Sequence, residues 1–416
     1  MRFSFLHAAD LHLDSPLKGL QSKSAEIAAS VANASRTAFE RLIDLAIAER
    51  CAFVLLAGDI FDGEWPDFRS GQYFVSRMRR LEDAGIPVFV ILGNHDAENR
   101  FTRRLEFSPN VTLIGSAAPE THLLENVNAA IHGLSFAARD VTDNLVKDYP
   151  APVAGMFNVG LLHTALTGRS GHASYAPCSP EQLQKHGYDY WALGHVHRHE
   201  IVCTDPYVVF PGNLQGRHIR ETGPKGAVLV SVDDGRIASV SHQALDAVRW
   251  ELECVDLTGS DDADTAIARV RRAIRAAYER AEGRALAMRL RLEGRTAAHA
   301  ALLLDVQTLR DDLVTYAASV GDALWIERID IATAPAAADA VDASIAGEVM
   351  QALMTPEAMD KLAAELEASV AQLREKLPRA LAQCEETAAI EAQAIARARA
   401  LAQSILASSM EGGDAV

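Results

Sequence analysis

A repeated junction restricts this chain more than any other feature. Five times an apolar stretch of strand length runs directly into a residue able to bind a metal ion. Phe5 to Ala9 leads into Asp10-Leu11-His12, Val54 to Ala57 into Gly58-Asp59, and Val88 to Leu92 into Gly93-Asn94-His95-Asp96. Leu161-Leu162 leads into His163, and Trp191 to Leu193 into Gly194-His195-Val196-His197. Ligands of α/β sheets gather at the carboxyl ends of strands, so these residues are expected to collect along one sheet edge. Stretches of helical character, Ser24 to Glu49 and Phe68 to Ala84, separate the first three runs, which predicts an α/β layered domain with buried sheets. Gly58, Gly93 and Gly194 each stand just before a candidate ligand or pair, where the chain must turn sharply and pass close to the site.

The residue types set the chemistry. Imidazole, carboxylate and amide donors without a thiolate suit Mn²⁺, Fe²⁺ or Zn²⁺ better than they suit a cysteine-held structural zinc. Eight candidates (Asp10, His12, Asp59, Asn94, His95, His163, His195 and His197) exceed what one tetrahedral ion can use. Two ions about 3.5 to 4 Å apart, sharing one carboxylate, would use them, and that arrangement serves in-line displacement at phosphorus. The five cysteines form no CxxC pair and lie far apart, which argues against a disulfide framework and fits a reducing, cytoplasmic setting. No apolar stretch approaches a membrane span, and none long enough for a signal peptide precedes Asp10. Net charge is −16, with 40 basic and 56 acidic residues. Wholesale electrostatic adhesion to nucleic acid or an anionic membrane is thereby disfavoured, and such contacts must be local.

The ordered series Asp10-x-His12, Gly58-Asp59-x-x-Asp62, Gly93-Asn94-His95-Asp96, His163 and Gly194-His195-x-His197 resembles the motif series of the calcineurin-like metallophosphoesterases. The wording Ala9-Asp10-Leu11-His12-Leu13-Asp14-Ser15-Pro16, and later Phe210-Pro211-Gly212-Asn213-Leu214-Gln215-Gly216-Arg217, is similar to the DNA repair exonucleases of the YhaO type, relatives of the SbcD nuclease. The motif resemblance covers residues 10 to about 226; beyond residue 250 it is architectural. It implies a four-layer α/β/β/α catalytic domain over 1–248, and the alternation of strand and helix after Trp250 predicts a smaller α+β capping domain over 249–333. An alanine-rich linker over 334–341 and a helical extension over 342–416 are expected to follow.

Residue by residue, the resemblance implies that one ion takes Asp10, His12 and His197. The other takes Asp59, Asn94, His163 and His195, with Asp59 shared. His95 would face the scissile phosphate as a catalytic group, Asp96 would hold its tautomer, and a hydroxide bridging the ions would attack. The implied activity is hydrolysis of DNA phosphodiester bonds in repair, as an exonuclease with endonuclease action also open. Its implied cofactors are two divalent ions, Mn²⁺ foremost and Fe²⁺ or Zn²⁺ as alternatives. The implied partners are DNA and an SMC-like coiled-coil ATPase of the SbcC or YhaN kind, with a homodimer by analogy and no membrane. A phosphatase or nucleotide phosphodiesterase with the same metals, and a non-catalytic scaffold for an ATPase assembly, are the competing readings.

Other features carry two readings each. Asp62 fits a role behind the ligands or a helix N-cap. His199 fits solvent or a place behind the ligands. Arg217 and Arg220 could grip phosphate or form surface ion pairs. Arg269, Arg271, Arg272, Arg275 and Arg280 could form a DNA-tracking stripe or pair with nearby acids. The apolar positions from Met359 to Leu377, spaced by three and four, fit an αα-hairpin or a partner-docking face.

Overall fold

A computed structural model describes residues 1–15, 17, 31, 33–62, 69–97, 105–167 and 175–336, with 361, 364 and 365. By compactness the chain divides into two units, Met1–Glu251 with Ala281–Met288, and Leu252–Arg280 with the described residues from Arg289 onward.

The first unit is built on two six-stranded sheets. One sheet has β1 (Arg2–Ala8), β2 (Phe53–Ala57), β3 (Val88–Ile91) and β4 (Val111–Leu113) in parallel register, with α1 (Ala34–Ala48) and α2 (Arg69–Asp83) in the crossovers. The other contains β5 (Glu120–Leu124), β6 (Ala129–Gly133), β7 (Phe157–His163) and β8 (Tyr190–Gly194), with α4 (Pro180–His186) preceding β8. It is completed by β9 (Glu200–Thr204) and β10 (Tyr207–Phe210). A short α3 (Asn94–Ala97) follows β3 directly, and β11 (Gly226–Asp233) and β12 (Arg236–Ala244) extend the first sheet antiparallel beyond β1.

Alternation along the strands explains the layering. Phe3, Phe5, Phe53, Leu55 and Phe89 point one way and meet Ile131, Phe157, Val159, Leu161 and Tyr190 of the second sheet in one buried cluster. The intervening Leu6, Val54, Leu56, Val88 and Val90 point the other way, onto Phe39, Leu42 and Phe74 of the helices. The outer face of the second sheet is covered in the same manner, with Leu183 of α4 in its cluster. A strand with both faces buried reads as a continuous apolar run, which is what β2 and β3 are. The expected α/β/β/α layering is present. The β11–β12 turn has Asp234 and Gly235 both at positive φ, 48° and 72°, the requirement of a two-residue hairpin loop.

The second unit holds most of a three-stranded sheet, ordered β13 (Val248–Asp256), β14 (Ala285–Thr296), β15 (Leu324–Pro335). Its helix α5 (Ala263–Arg280) buries Ala266, Val270, Ile274 and Ala277, a stripe spaced by three and four. Two helices precede β15, α6 (His299–Leu304) and α7 (Val306–Val320), because Asp305 leaves helical geometry and caps α7 by accepting from the Thr308 N–H. β15 runs on to Pro335, so the first residues of the expected linker are strand. The Met359–Leu377 stripe lies outside the described residues. On α5 much of the basic stripe is committed locally: Arg271 to Asp312 at 2.8 Å, Arg280 to Glu253 at 2.6 Å and Arg269 to the Thr258 carbonyl. Among the described residues no helix is long and apolar enough to cross a membrane.

Candidate metal centre

The loops leaving β1, β2, β3, β7 and β8 converge. The Asp10 N–H donates to the Gly58 carbonyl at 3.0 Å and the His12 N–H to the Asp59 carbonyl at 3.1 Å, so the first two loops run zipped together. Asp10, His12 and Asp59 have φ of 51°, 42° and 53°, and His195 has 100°. Left-handed backbone at non-glycine residues costs about 1–3 kcal/mol each and persists only where surroundings enforce it. The close approach needs the glycines: a Cβ on Gly194 would lie 1.8 Å from the Ala57 carbonyl oxygen, and one on Gly93 2.3 Å from Asp59 Oδ1.

Three groups of donors result among the described residues; one, His12, Asp62 and His95, overlaps another at His12, and the remaining two share no residue. In the first of these two, atoms of Asp10, His12 and His197 all lie within 4.8 Å of one another; in the second, so do atoms of Asp59, His163 and His195. Asn94 Oδ1 joins the second group, 3.1 Å from His163 Nε2 and 3.3 Å from His195 Nδ1. Asp59 stands between the groups. Its Oδ1 accepts from the His95 N–H, while Oδ2 is 3.5 Å from His163 Nε2 and 3.9 Å from His12 Nε2.

The hydrogen bonds test whether these groups suit cations. His163 Nδ1 lies 2.8 Å from the Ala57 carbonyl, which can only accept, so Nδ1 carries the proton. Nε2 then points a lone pair at the oxygens of Asn94 and Asp59. A second proton is not the remedy, because burial pushes the imidazole down to about 3. His197 repeats the pattern. Its Nδ1 lies 2.8 Å from Glu221 Oε1, which can only accept, and 3.2 Å from Arg217 Nη2, which can only donate; the shorter carboxylate contact places the proton on Nδ1 and leaves Nε2 to face His12 Nε2 at 3.2 Å and Asp10 Oδ1 at 3.8 Å. His12, held near 4 by burial, has its buried Nδ1 3.7 Å from Asp62 Oδ1, beyond hydrogen-bond distance. Asp10 is fully buried, and burial together with the neighbouring Asp59 carboxylate pushes its carboxyl well above the usual range. The carboxylates of Asp10 and Asp59 accept from the His195 and His95 N–H groups, yet among the described residues no cationic side chain balances their charge where they meet the imidazole lone pairs; a pair of divalent ions would, and the N/O donor set without sulfur matches the borderline-to-hard metals.

His95 stands at the edge of these groups with its side chain one-third exposed, in a cleft of about 760 Å³ that Asp59, His195 and His197 also line. Its orienting carboxylate is Asp62, whose Oδ1 lies 3.1 Å from His95 Nδ1; this contact raises the imidazole above its ordinary value. The expectation that Asp96 holds the His95 tautomer is not met. In the first turn of α3 the Asp96 carboxylate turns back to accept from the N–H groups of Ile60, Phe61 and Gly93 at 3.0, 3.0 and 3.2 Å. It ties the β2 and β3 loops together, and burial pushes it up to about 7. His199 belongs to none of the groups: it bonds the Phe210 carbonyl and stacks on His242.

One residue behind the ligands escaped the sequence reading. Glu221, 7% exposed, accepts from His197 Nδ1, from Asn213 Nδ2 at 2.9 Å and from the Arg217 N–H at 2.7 Å. Imidazole ligands commonly donate their second nitrogen to such a carboxylate, which fixes tautomer and ring direction. The Pro211-Gly212-Asn213 segment thus supports the centre through Asn213, and the signal was a lone acid in a basic loop.

Residues 3–199 match the family profile of calcineurin-like phosphoesterases. This stretch is a calcineurin-like phosphoesterase domain. Residues 250–334 match the middle domain of the metallophosphoesterase YhaO. Beside the phosphoesterase domain's family stand individual relatives. The chain is 39% identical over 259 residues to an uncharacterized metallophosphoesterase, YhaO, of Bacillus subtilis, covering 61% of this chain and 63% of that one. It is 26% identical over 305 residues to the DNA double-strand break repair protein Mre11 of Methanopyrus kandleri, covering 64% and 62%. The Sulfolobus acidocaldarius protein of the same name is 26% identical over 200 residues, covering 46% and 49%. The phosphoesterase family uses a dinuclear divalent centre, in keeping with the two donor groups that share no residue.

Proposed function

We propose that the chain is a two-metal phosphodiesterase that cleaves DNA. One ion would be held by Asp10, His12 and His197, the other by Asn94, His163 and His195, with Asp59 between them. The observation that carries this reading is the His163 Nε2 lone pair, which faces only the acceptor oxygens of Asn94 and Asp59, beside a second convergence of Asp10, His12 and His197. When bound, the ions would supply Lewis-acid activation of water near neutral pH. The chain's own residues do the rest. Asp62 holds His95 by Nδ1 and favours its protonated form, which leaves Nε2 to steady charge on the phosphate and to protonate the leaving oxygen. Asp96 acts on the loops' geometry. The Mre11 relatives' role in double-strand break repair supports DNA as substrate; exonuclease action, a cytoplasmic setting and Mn²⁺ as the metal are part of the same proposal. An SMC-like ATPase partner, the domain boundaries at 248 and 333, and a docking role for 342–416 belong to the same proposal.

The test compares hydrolysis of bis(p-nitrophenyl) phosphate, a nucleotide and a labelled DNA duplex with Mn²⁺. Cleavage of DNA is expected; action on nucleotides alone would overturn the nuclease reading, and inactivity on all three would favour a scaffold. Metal content measured on two variants checks the roles: His95→Ala is expected to lose turnover and keep its ions, Asp59→Ala to lose both.

A further inference from the structure

The wall of the cleft carries charge opposite to that of the chain. Against a net −16 overall, the residues lining it include Arg198, Arg217, Arg220 and Lys225, with Glu221 the one carboxylate besides Asp59. Two of the four cations are already engaged. Lys225 is buried and its Nζ donates to the His197 carbonyl at 2.7 Å; Arg217 reaches Glu221 at 3.2 Å and Asp62 at 3.5 Å. Arg198 and Arg220 are exposed, and among the described residues neither has a hydrogen-bond or ion-pair partner. Cations gathered on one wall repel each other, and low-dielectric cleft walls focus that field onto whatever anion enters.

We infer that Arg198 and Arg220 bind a phosphate next to the one being cleaved, so that the site selects a chain carrying at least two phosphates. The inference rests on reading the centre as a phosphodiesterase, and it narrows the substrate class to polynucleotides. The donor groups at the cleft floor account for the scissile phosphate. A guanidinium matches a phosphate's oxygens two at a time and is the side chain suited to hold a second one. A mononucleotide or a phosphomonoester would leave both arginines empty.

The test uses the whole chain with Ca²⁺ and a fluorescein-labelled pentathymidylate, with binding followed by anisotropy between 50 and 200 mM salt. In the R198A/R220A double variant the affinity is expected to fall about tenfold, and the slope of log K against log salt to flatten by about 1.4, the counterion release of two contacts on a single strand. The loss for thymidine 5′-monophosphate should be distinctly smaller. R2A/R79A, which removes two exposed arginines outside the cleft lining, should match the wild type, and equal thermal midpoints would confirm that both double variants fold. Unchanged affinity and slope in R198A/R220A would overturn the inference. So would an equal loss for the mononucleotide, or failure of the wild type to bind the oligonucleotide. Wild-type binding without Mn²⁺-dependent cleavage would instead overturn the phosphodiesterase reading and leave the phosphate site standing.

Discussion

At the scale of single residues, Glu221 makes His197 an oriented donor. Its carboxyl is held below the usual range because the contacts with His197 and Arg217 outweigh the opposing effect of burial, so it stays charged and keeps the His197 proton on Nδ1. Glu221→Gln keeps an oxygen at that distance and removes the charge. Its Mn²⁺ affinity by titration calorimetry is expected to fall by about 10- to 100-fold, with Glu221→Asp falling less. Wild-type affinity in the Gln variant would show that the contact is merely structural. The candidate ligands themselves were legible because each follows an apolar run. Their supporting carboxylates were not. Asp96 adjoins His95 in sequence, yet the helical turn points it at backbone N–H groups, and the partner that reaches the ring comes from another loop at Asp62. Glu221 lies 24 residues beyond His197, with no strand running into it.

At the scale of elements, the site depends on β8 lying against the loop that leaves β2. Gly194 closes β8 with its α-carbon against the Ala57 carbonyl, whose oxygen also fixes the His163 tautomer. Gly194→Ala must separate the two, and urea unfolding is expected to show a loss of roughly 3 kcal/mol or more, as overpacking of a rigid contact does. Gly235→Ala is the comparison: φ there is also positive, but nothing lies within 4 Å of a new Cβ. It should cost only the left-handed backbone term, about 1–2 kcal/mol. Equal losses would mean that the β8–β2 approach is not rigid. Strands buried on both faces announced themselves as apolar runs. The elements that sequence reading passed over lack that signature: β4 has three residues, β5 alternates half-exposed positions, and β6 reads Ala-Ala-Ile-His-Gly, its His132 satisfied by Thr121 and Asn158. The break between α6 and α7 rests on one Asp in a long helical pattern, too local a cue to outweigh the periodicity around it.

For the whole molecule, buried ionisable groups tie stability to pH and to metal together. Burial lowers His7 and His163 to about 3, and His12 and His242 to about 4. Unfolded histidine titrates near 6.5, so between about 4 and 6.5 the unfolded chain binds the extra protons and stability rises with pH. Asp10 and Asp96 act the other way. Their carboxyls are raised, Asp96 to about 7, so from about pH 4 upward the unfolded chain gives up protons that the folded one keeps, and stability falls. The lowered histidines, which also include His132, His199, His218 and His299, outnumber the raised groups Asp10, Asp96, Asp189 and His95, and leave a net rise toward neutrality. A divalent ion at the centre changes that balance by holding Asp10 ionised, which removes one of the opposing contributions, and protons compete with the ion at His12 and His163 as pH falls. Urea titrations of the wild type at pH 5, 6 and 7 are therefore expected to show a shallow rise without metal and a steeper one with saturating Mn²⁺. The metal's own increment should grow with pH, reaching about 2.7 kcal/mol when free metal is a hundred times its dissociation constant. An increment that is the same at pH 5 and pH 7 would mean that the ions bind away from these histidines and carboxylates, because only groups that exchange protons for metal can make one depend on the other.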